Sequence, residues 1–236
     1  MLNFIGIGAQ KCGTSWLSNT LSEHPKVAFP GKKGVHFWDQ HRNRGIEWYT
    51  EHFSSNQYIN GDFTPAYGFL PVEVIREIYE LMPNLRLFYM IRNPIDRAWS
   101  SARMALGRSE MLHEEASDQW FVDHFNSKGS ISRGDYETCL RQWRSVFPEE
   151  QLLLIRYENI ITDPVGVGNK CLNHIGLENF YSSADIGKLS NKVFKGDDVP
   201  LRASLLPVLQ EIYQNRIESL EKYLNEDLTD WKSYSL

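Results

Sequence analysis

The chain has 236 residues, 42% of them hydrophobic and 23% charged, which is an ordinary globular composition that can bury a core without disulfide or metal staples. The formal net charge of -5 speaks against a general nucleic-acid binder, which carries a basic excess. Cys12, Cys139 and Cys171 lie too far apart for a disulfide framework or a zinc pattern, and no run nears the roughly 18 apolar residues of a membrane span, so a soluble protein in a reducing, cytoplasmic setting is expected, with no membrane partner.

In chain order, Leu2 to Gly8 is a short apolar run punctuated by glycine and reads as a buried strand. A loop over residues 9–13 follows. Trp16, Leu17, Thr20 and Leu21 then recur at helical spacing, with Thr14 or Ser15 as the cap. Val27 to Phe29 reads as a short extended piece, residues 45–53 as a short aromatic helix, and Tyr58 to Asp62 as a strand closed by a turn at Thr64-Pro65. Pro71 to Met82 predicts an amphipathic helix with Val74, Ile75, Ile78 and Leu81 on one face.

Leu85 to Ile91 is the strongest strand pattern, and a helix from Pro94 to Ala105 follows it. Residues 107–134 are polar and loosely patterned. A helix over Tyr136–Phe147, a strand over Leu152–Arg156 and a helix after Asp163-Pro164 come next. Residues 182–200 read as a functional or mobile loop, and Leu201 to Leu224 as a long helix broken near Pro207. Strands alternating with helices imply an α/β fold in one domain of residues 1–236, with a central parallel sheet flanked by helices.

The first loop carries chemistry. A glycine loop between a strand and a helix N-terminus presents backbone N–H groups and the positive end of the helix dipole to an anion. Lys11 adds a movable charge, and Thr14 and Ser15 add hydroxyls. The ordinary phosphate loop reads G-x-x-x-x-G-K-[ST], but here the lysine stands two residues before Gly13 and Thr14 follows that glycine directly. The strand to Ile91 runs into Arg92, where a magnesium-dependent phosphoryl transferase places an aspartate. Arg92 at a strand's carboxyl end, with Ser100 two turns into the next helix, forms a candidate second phosphate site.

Lys11-Cys12-Gly13-Thr14-Ser15-Trp16 together with Arg92-Asn93-Pro94-x-x-Arg97-Ala98-x-Ser100 resembles the two nucleotide motifs of sulfotransferases that use 3′-phosphoadenosine 5′-phosphosulfate (PAPS). His24-Pro25, His36-Phe37-Trp38-Asp39, Gly45-Ile46-x-Trp48-Tyr49, Thr64-Pro65-x-Tyr67, Gly134-x-Tyr136 and Phe194-Lys195-Gly196 extend that similarity toward the carbohydrate, heparan sulfate-type members. The resemblance implies the sulfotransferase fold related to P-loop kinases. It implies PAPS as donor, PAP as product and no required metal. Lys11, Cys12, Gly13, Thr14, Ser15 and Trp16 would surround the 5′-phosphosulfate, Arg92 and Ser100 the 3′-phosphate, and Lys195 and Gly196 the nucleotide. Lys11 would also be catalytic, steadying charge on the bridging oxygen, and the acceptor would be a carbohydrate or small metabolite.

Two positions depart from the pattern. Members of that group place a glutamate base two residues before the histidine motif, and this chain has Gly34 there. His36 is therefore the expected base, since an imidazole titrates near neutrality, with Asp39 or Asp62 orienting it. Phe63 stands where a lysine often precedes the Ser/Thr-Pro pair, so acceptor recognition is expected to differ there, with His36, Asp39, Asp62 and Phe63 as the candidate substrate contacts. Trp38, Trp48 and Tyr49 read as core before they read as a sugar platform. His113 and His124 are expected to face solvent, without metal partners. Two rivals stay open: a P-loop nucleotide kinase, and a catalytically impaired nucleotide- or glycan-binding protein of the same fold.

Overall fold

The computed structural model describes residues 1–30, 34–191 and 199–233. Five strands, β1 (Leu2–Gly8), β2 (Val27–Ala28), β3 (Ile59–Phe63), β4 (Arg86–Ile91) and β5 (Leu152–Arg156), pair in parallel in the order β2–β3–β1–β4–β5. β1 lies in the middle, with Ile5 opposite Asp62 of β3 and Leu87 of β4. Its successor strands fall on one side and β4 and β5 on the other, so the connections part at the carboxyl ends, where open α/β sheets bind ligands. The continuous apolar runs of β1 and β4 reflect burial on both faces.

The described residues of Met1–Ile91 and Arg141–Val193 form one compact unit, and those of Arg92–Leu140 and Phe194–Leu236 another. The sheet belongs to the first. Its core is aromatic: Phe4 meets Phe29, Phe63 and Phe88 at ring-centroid distances of 5.5, 6.2 and 5.7 Å, all edge to face. Helix α1 (Thr14–Ser22) buries Trp16, Leu17 and Leu21, each contributing about 2 kcal/mol by area removed from water. Helix α3 (Val72–Leu81) buries Val74, Ile75 and Ile78 as its periodicity predicts, but Leu81 at its end is 50% exposed.

In the second unit, α4 (Pro94–Arg108) is capped by the Asn93 side chain, which accepts from Ile95 N at 3.0 Å, with Pro94 at the first helical position. Arg97 is fully buried and donates to Ser130 O, Ser130 Oγ and Tyr213 Oη at 3.0, 3.2 and 2.9 Å. Tyr213 comes from α11 (Leu206–Leu224), whose first turn holds Pro207; the proline starts this helix and does not break it.

The polar stretch from Gly107 to Gly134 is largely helical, as α5 (Asp118–Asn126) and α6 (Lys128–Gly134), each opened by a serine side-chain cap, Ser117 and Ser127. Residues 183–189 hold a short 3₁₀ turn and the helix Ile186–Leu189, so that segment is less irregular than its composition implies. His113 packs edge to face on Trp99 at 5.4 Å. His124 stacks on Trp120 at 5.6 Å and meets Ser101 Oγ at 3.3 Å. Neither simply faces solvent, because imidazoles beside aromatic rings bury readily.

Candidate active site

β1 ends where Ala9 N donates to Met90 O at 2.8 Å, continuing its ladder with β4. The chain then turns within four residues, Cys12 N donating to Ala9 O at 3.3 Å. Lys11 (φ 72°) and Gly13 (φ 93°) both take left-handed backbone. Gly13 is the cap of α1; neither Thr14 nor Ser15 is, because the helix has already begun at Thr14. A Cβ on Gly13 would lie 2.9 Å from Tyr157 Cδ2, so packing and dihedral both demand glycine. The first-turn N–H groups of a helix have no intrahelical acceptor, and here they follow a half-buried lysine. The residues present therefore fit a sulfate or phosphate group. Cys12 is fully buried, and the Trp16 indole donates to Leu189 O at 2.6 Å. These two side chains pack the loop, so a contact from Cys12 or Trp16 to an anion falls to their backbone.

In the second unit, Arg92 places its guanidinium 3.3 Å from Asp96, and its carbonyl accepts from Tyr136 Oη at 2.8 Å. Ser100 lies half-buried on α4. Of the two arginines in this motif, Arg92 is thus the one presented to a carboxylate, while Arg97 is internal. Lys195 and Gly196 lie outside the described residues.

His36 has left-handed backbone (φ 55°) at the start of a π-helical turn, Phe37–His41. Its Nδ1 is 2.9 Å from Asp39 Oδ2 and 3.2 Å from Oδ1, which assigns Nδ1–H as donor and, in the neutral ring, leaves Nε2 as acceptor. Gln40 Nε2 donates to the same carboxylate at 3.3 Å. Gly34 has φ 86°, and a Cβ there would sit 3.3 Å from both Cδ2 and Nε2 of His36. The Nε2 edge therefore borders the room a side chain at residue 34 would enter.

Asp62 makes no direct contact with the imidazole and, contrary to expectation, is not open to an acceptor: it is fully buried under Tyr49, Thr64 and Tyr67. Burial pushes its carboxyl above the ordinary range, against hydrogen bonds from Thr64, Tyr49, Tyr67 and Val35 that pull it down. Burial also raises the Tyr49 and Tyr67 hydroxyls, with the Asp62 charge as the second cause. Phe63 is likewise no acceptor contact. It is fully buried, and its ring stacks on Phe88 at 5.9 Å, because alternation along β3 sends it to the face opposite Asp62. Trp38 and Tyr49 are core, as expected, with Phe37 stacked on Tyr49 at 4.7 Å. Thr64 and Tyr67 were visible only as motif letters, since their contacts to residues 36 and 37 close across the chain, and Gln40, whose contacts to Asp39 and His36 are local, was not singled out.

A parallel α/β sheet with an anion-fitted loop at its switch point defines a class of nucleotide-dependent group-transfer folds. The model of the sulfotransferase domain matches residues 3–193, and the chain belongs to that family. Heparan sulfate glucosamine 3-O-sulfotransferase 5 of Mus musculus is 31% identical over 170 residues, covering 67% of this chain and 49% of the relative. A crystal structure of a sulfotransferase from Alicyclobacillus acidocaldarius superimposes with a TM-score of 0.75 at 24% identity, covering 98% of this chain and 99% of that one. A crystal structure of mouse sulfotransferase SULT7A1 complexed with PAP gives 0.62 at 15%, covering 95% and 88%. These structures share the fold. The chain spans 65% of the length of one curated relative it matches and 43% of that of another.

Proposed function

We propose that the chain moves the sulfuryl group of PAPS to an acceptor hydroxyl or amine, on a carbohydrate or a small metabolite. The observation that carries this reading is the strand–loop–helix of residues 2–22, with Lys11 and Gly13 both in left-handed backbone, in a chain of the sulfotransferase family. PAPS supplies the activated sulfuryl group. Lys11 and the first-turn N–H groups of α1 stabilise the charge that grows on the bridging oxygen as the acceptor attacks in line. Arg92 and Ser100 keep the 3′-phosphate role that the motif gives them. His36 accepts the acceptor's proton at Nε2, with Asp39 holding the tautomer. The sulfuryl group carries less charge than a γ-phosphoryl group, so Lys11 and the backbone donors suffice without a metal. Support for a carbohydrate acceptor comes from the heparan sulfate enzyme among the relatives. A reducing, cytoplasmic setting is supported by the three cysteines, all buried thiols. Among the described residues no helix is long and apolar enough to cross a membrane.

Labelled PAPS offered with a panel of acceptors, EDTA present, tests this. Labelled product supports it. Transfer from ATP that stops with EDTA points to a kinase, and binding of PAP without any product points to a non-catalytic protein.

A further inference from the structure

His36, the base in the reading above, is held by a device its own sequence neighbourhood does not contain. A non-glycine residue in left-handed backbone costs about 1–3 kcal/mol and persists where its surroundings over-determine it. Here three successive N–H groups, those of Val35, His36 and Phe37, are each taken by an acceptor from β3 or the turn after it. Val35 N donates to Asp62 Oδ1 at 3.4 Å, His36 N to Thr64 Oγ1 at 3.4 Å and Phe37 N to Tyr67 Oη at 3.0 Å. The two hydroxyls then donate to Asp62, Thr64 to Oδ1 at 2.7 Å and Tyr67 to Oδ2 at 3.0 Å, while Tyr49 adds a third hydroxyl to Oδ2 at 3.0 Å. Every strand of this web ends on one carboxylate with no exposed surface.

We infer that Asp62 is a positioning residue for the reaction, fixing the left-handed turn at His36 through Thr64, Tyr67 and the backbone of residues 35–37. This rests on His36 being the base. The web explains why a buried carboxyl is present at the end of β3: an ionised carboxylate accepts up to four hydrogen bonds, and four donors converge on it. It also divides the work between two acids. Asp39 sets the ring's tautomer, and Asp62 sets where the ring is.

The test is a mutant cycle on the purified full chain, reading kcat, KM for the acceptor, PAP affinity and thermal midpoint. Asp62→Asn keeps the size of the side chain. Tyr67→Phe and Thr64→Val each delete one link, and they serve if Asp62→Asn does not fold. With His36 present, kcat falls about 10- to 100-fold in Asp62→Asn and less in the single-link variants, and PAP affinity is unmoved. In a His36→Ala background the same substitutions cost less than about twofold, because the residue they position is gone. Imidazole added to His36→Ala restores turnover equally with or without the Asp62 change. Full loss persisting in the His36→Ala background overturns the inference, as does wild-type kcat in Tyr67→Phe, Thr64→Val and folded Asp62→Asn. Wild-type turnover in His36→Ala alone overturns the base reading and the inference with it.

Discussion

The His36 imidazole donates Nδ1–H to Asp39 and turns Nε2 toward the space beside Gly34, where a side chain would lie within 3.3 Å. A general base needs both an orienting partner on one nitrogen and an open lone pair on the other, and His36 has that arrangement. His36→Ala is expected to lower kcat by about 10²–10⁴-fold with PAP affinity unchanged, as read by steady-state kinetics and calorimetry. Unchanged kcat contradicts the assignment. Restoring a glutamate at residue 34 is no simple remedy, since φ there is 86° and the new side chain would meet the imidazole. His36 and Asp39 were legible in the sequence because they are three residues apart within one motif. Asp62 was named as a second candidate to orient the ring, but the route through the backbone of residues 35–37 was not legible, because the partners of Asp62 lie up to 27 residues away and meet it only across the fold.

At the scale of elements, the turn from β1 into α1 sets the loop proposed to hold the donor. Gly13→Ala places a Cβ 2.9 Å from Tyr157 Cδ2 and 3.2 Å from Met90 Cε in left-handed backbone. The variant should lose about 1–3 kcal/mol in urea unfolding. A midpoint equal to wild type contradicts the packing described. Elements with strong apolar periodicity, β1, α1, α3 and β4, are where the residue pattern puts them, since burial on one face or both is what the pattern encodes. α5 and α6 were not legible: α6 is only seven residues long and buries Ser130 and Gly134, so polar letters mark its core side. Phe63 misled for the opposite reason. Its motif position pointed to the acceptor, but strand alternation sends its ring to Phe4 and Phe88.

Across the whole molecule, burial lowers the pKa of His24 and His174 in the first unit and of His113 and His124 in the second from the ordinary 6.5, with nearby cations adding to it. His174 is fixed by Nε2–H shared between Leu87 O and Gln151 O at 3.2 Å each. A lowered histidine resists the proton that the unfolded chain accepts, so stability is greatest above 6.5 and falls as pH drops through that value toward the lowered ones. Urea midpoints should decline from about pH 7.5 to about pH 5.5, and His174→Gln should flatten part of that slope. A flat profile over this range contradicts the burial assigned to these rings. The parallel sheet was readable from the alternation of strands and helices, whereas the grouping of residues 92–140 with the final helices depends on contacts such as Arg97 to Tyr213, which no local pattern announces.

Transfer of label from PAPS bears most directly on the central claim. With EDTA present and a panel of sugar and small-molecule acceptors, labelled product should appear in step with PAP and vanish in Lys11→Ala. Label that stays on the donor with every acceptor, or a nucleoside triphosphate that replaces PAPS as the donor, would contradict the assignment of residues 10–16 as a phosphosulfate loop.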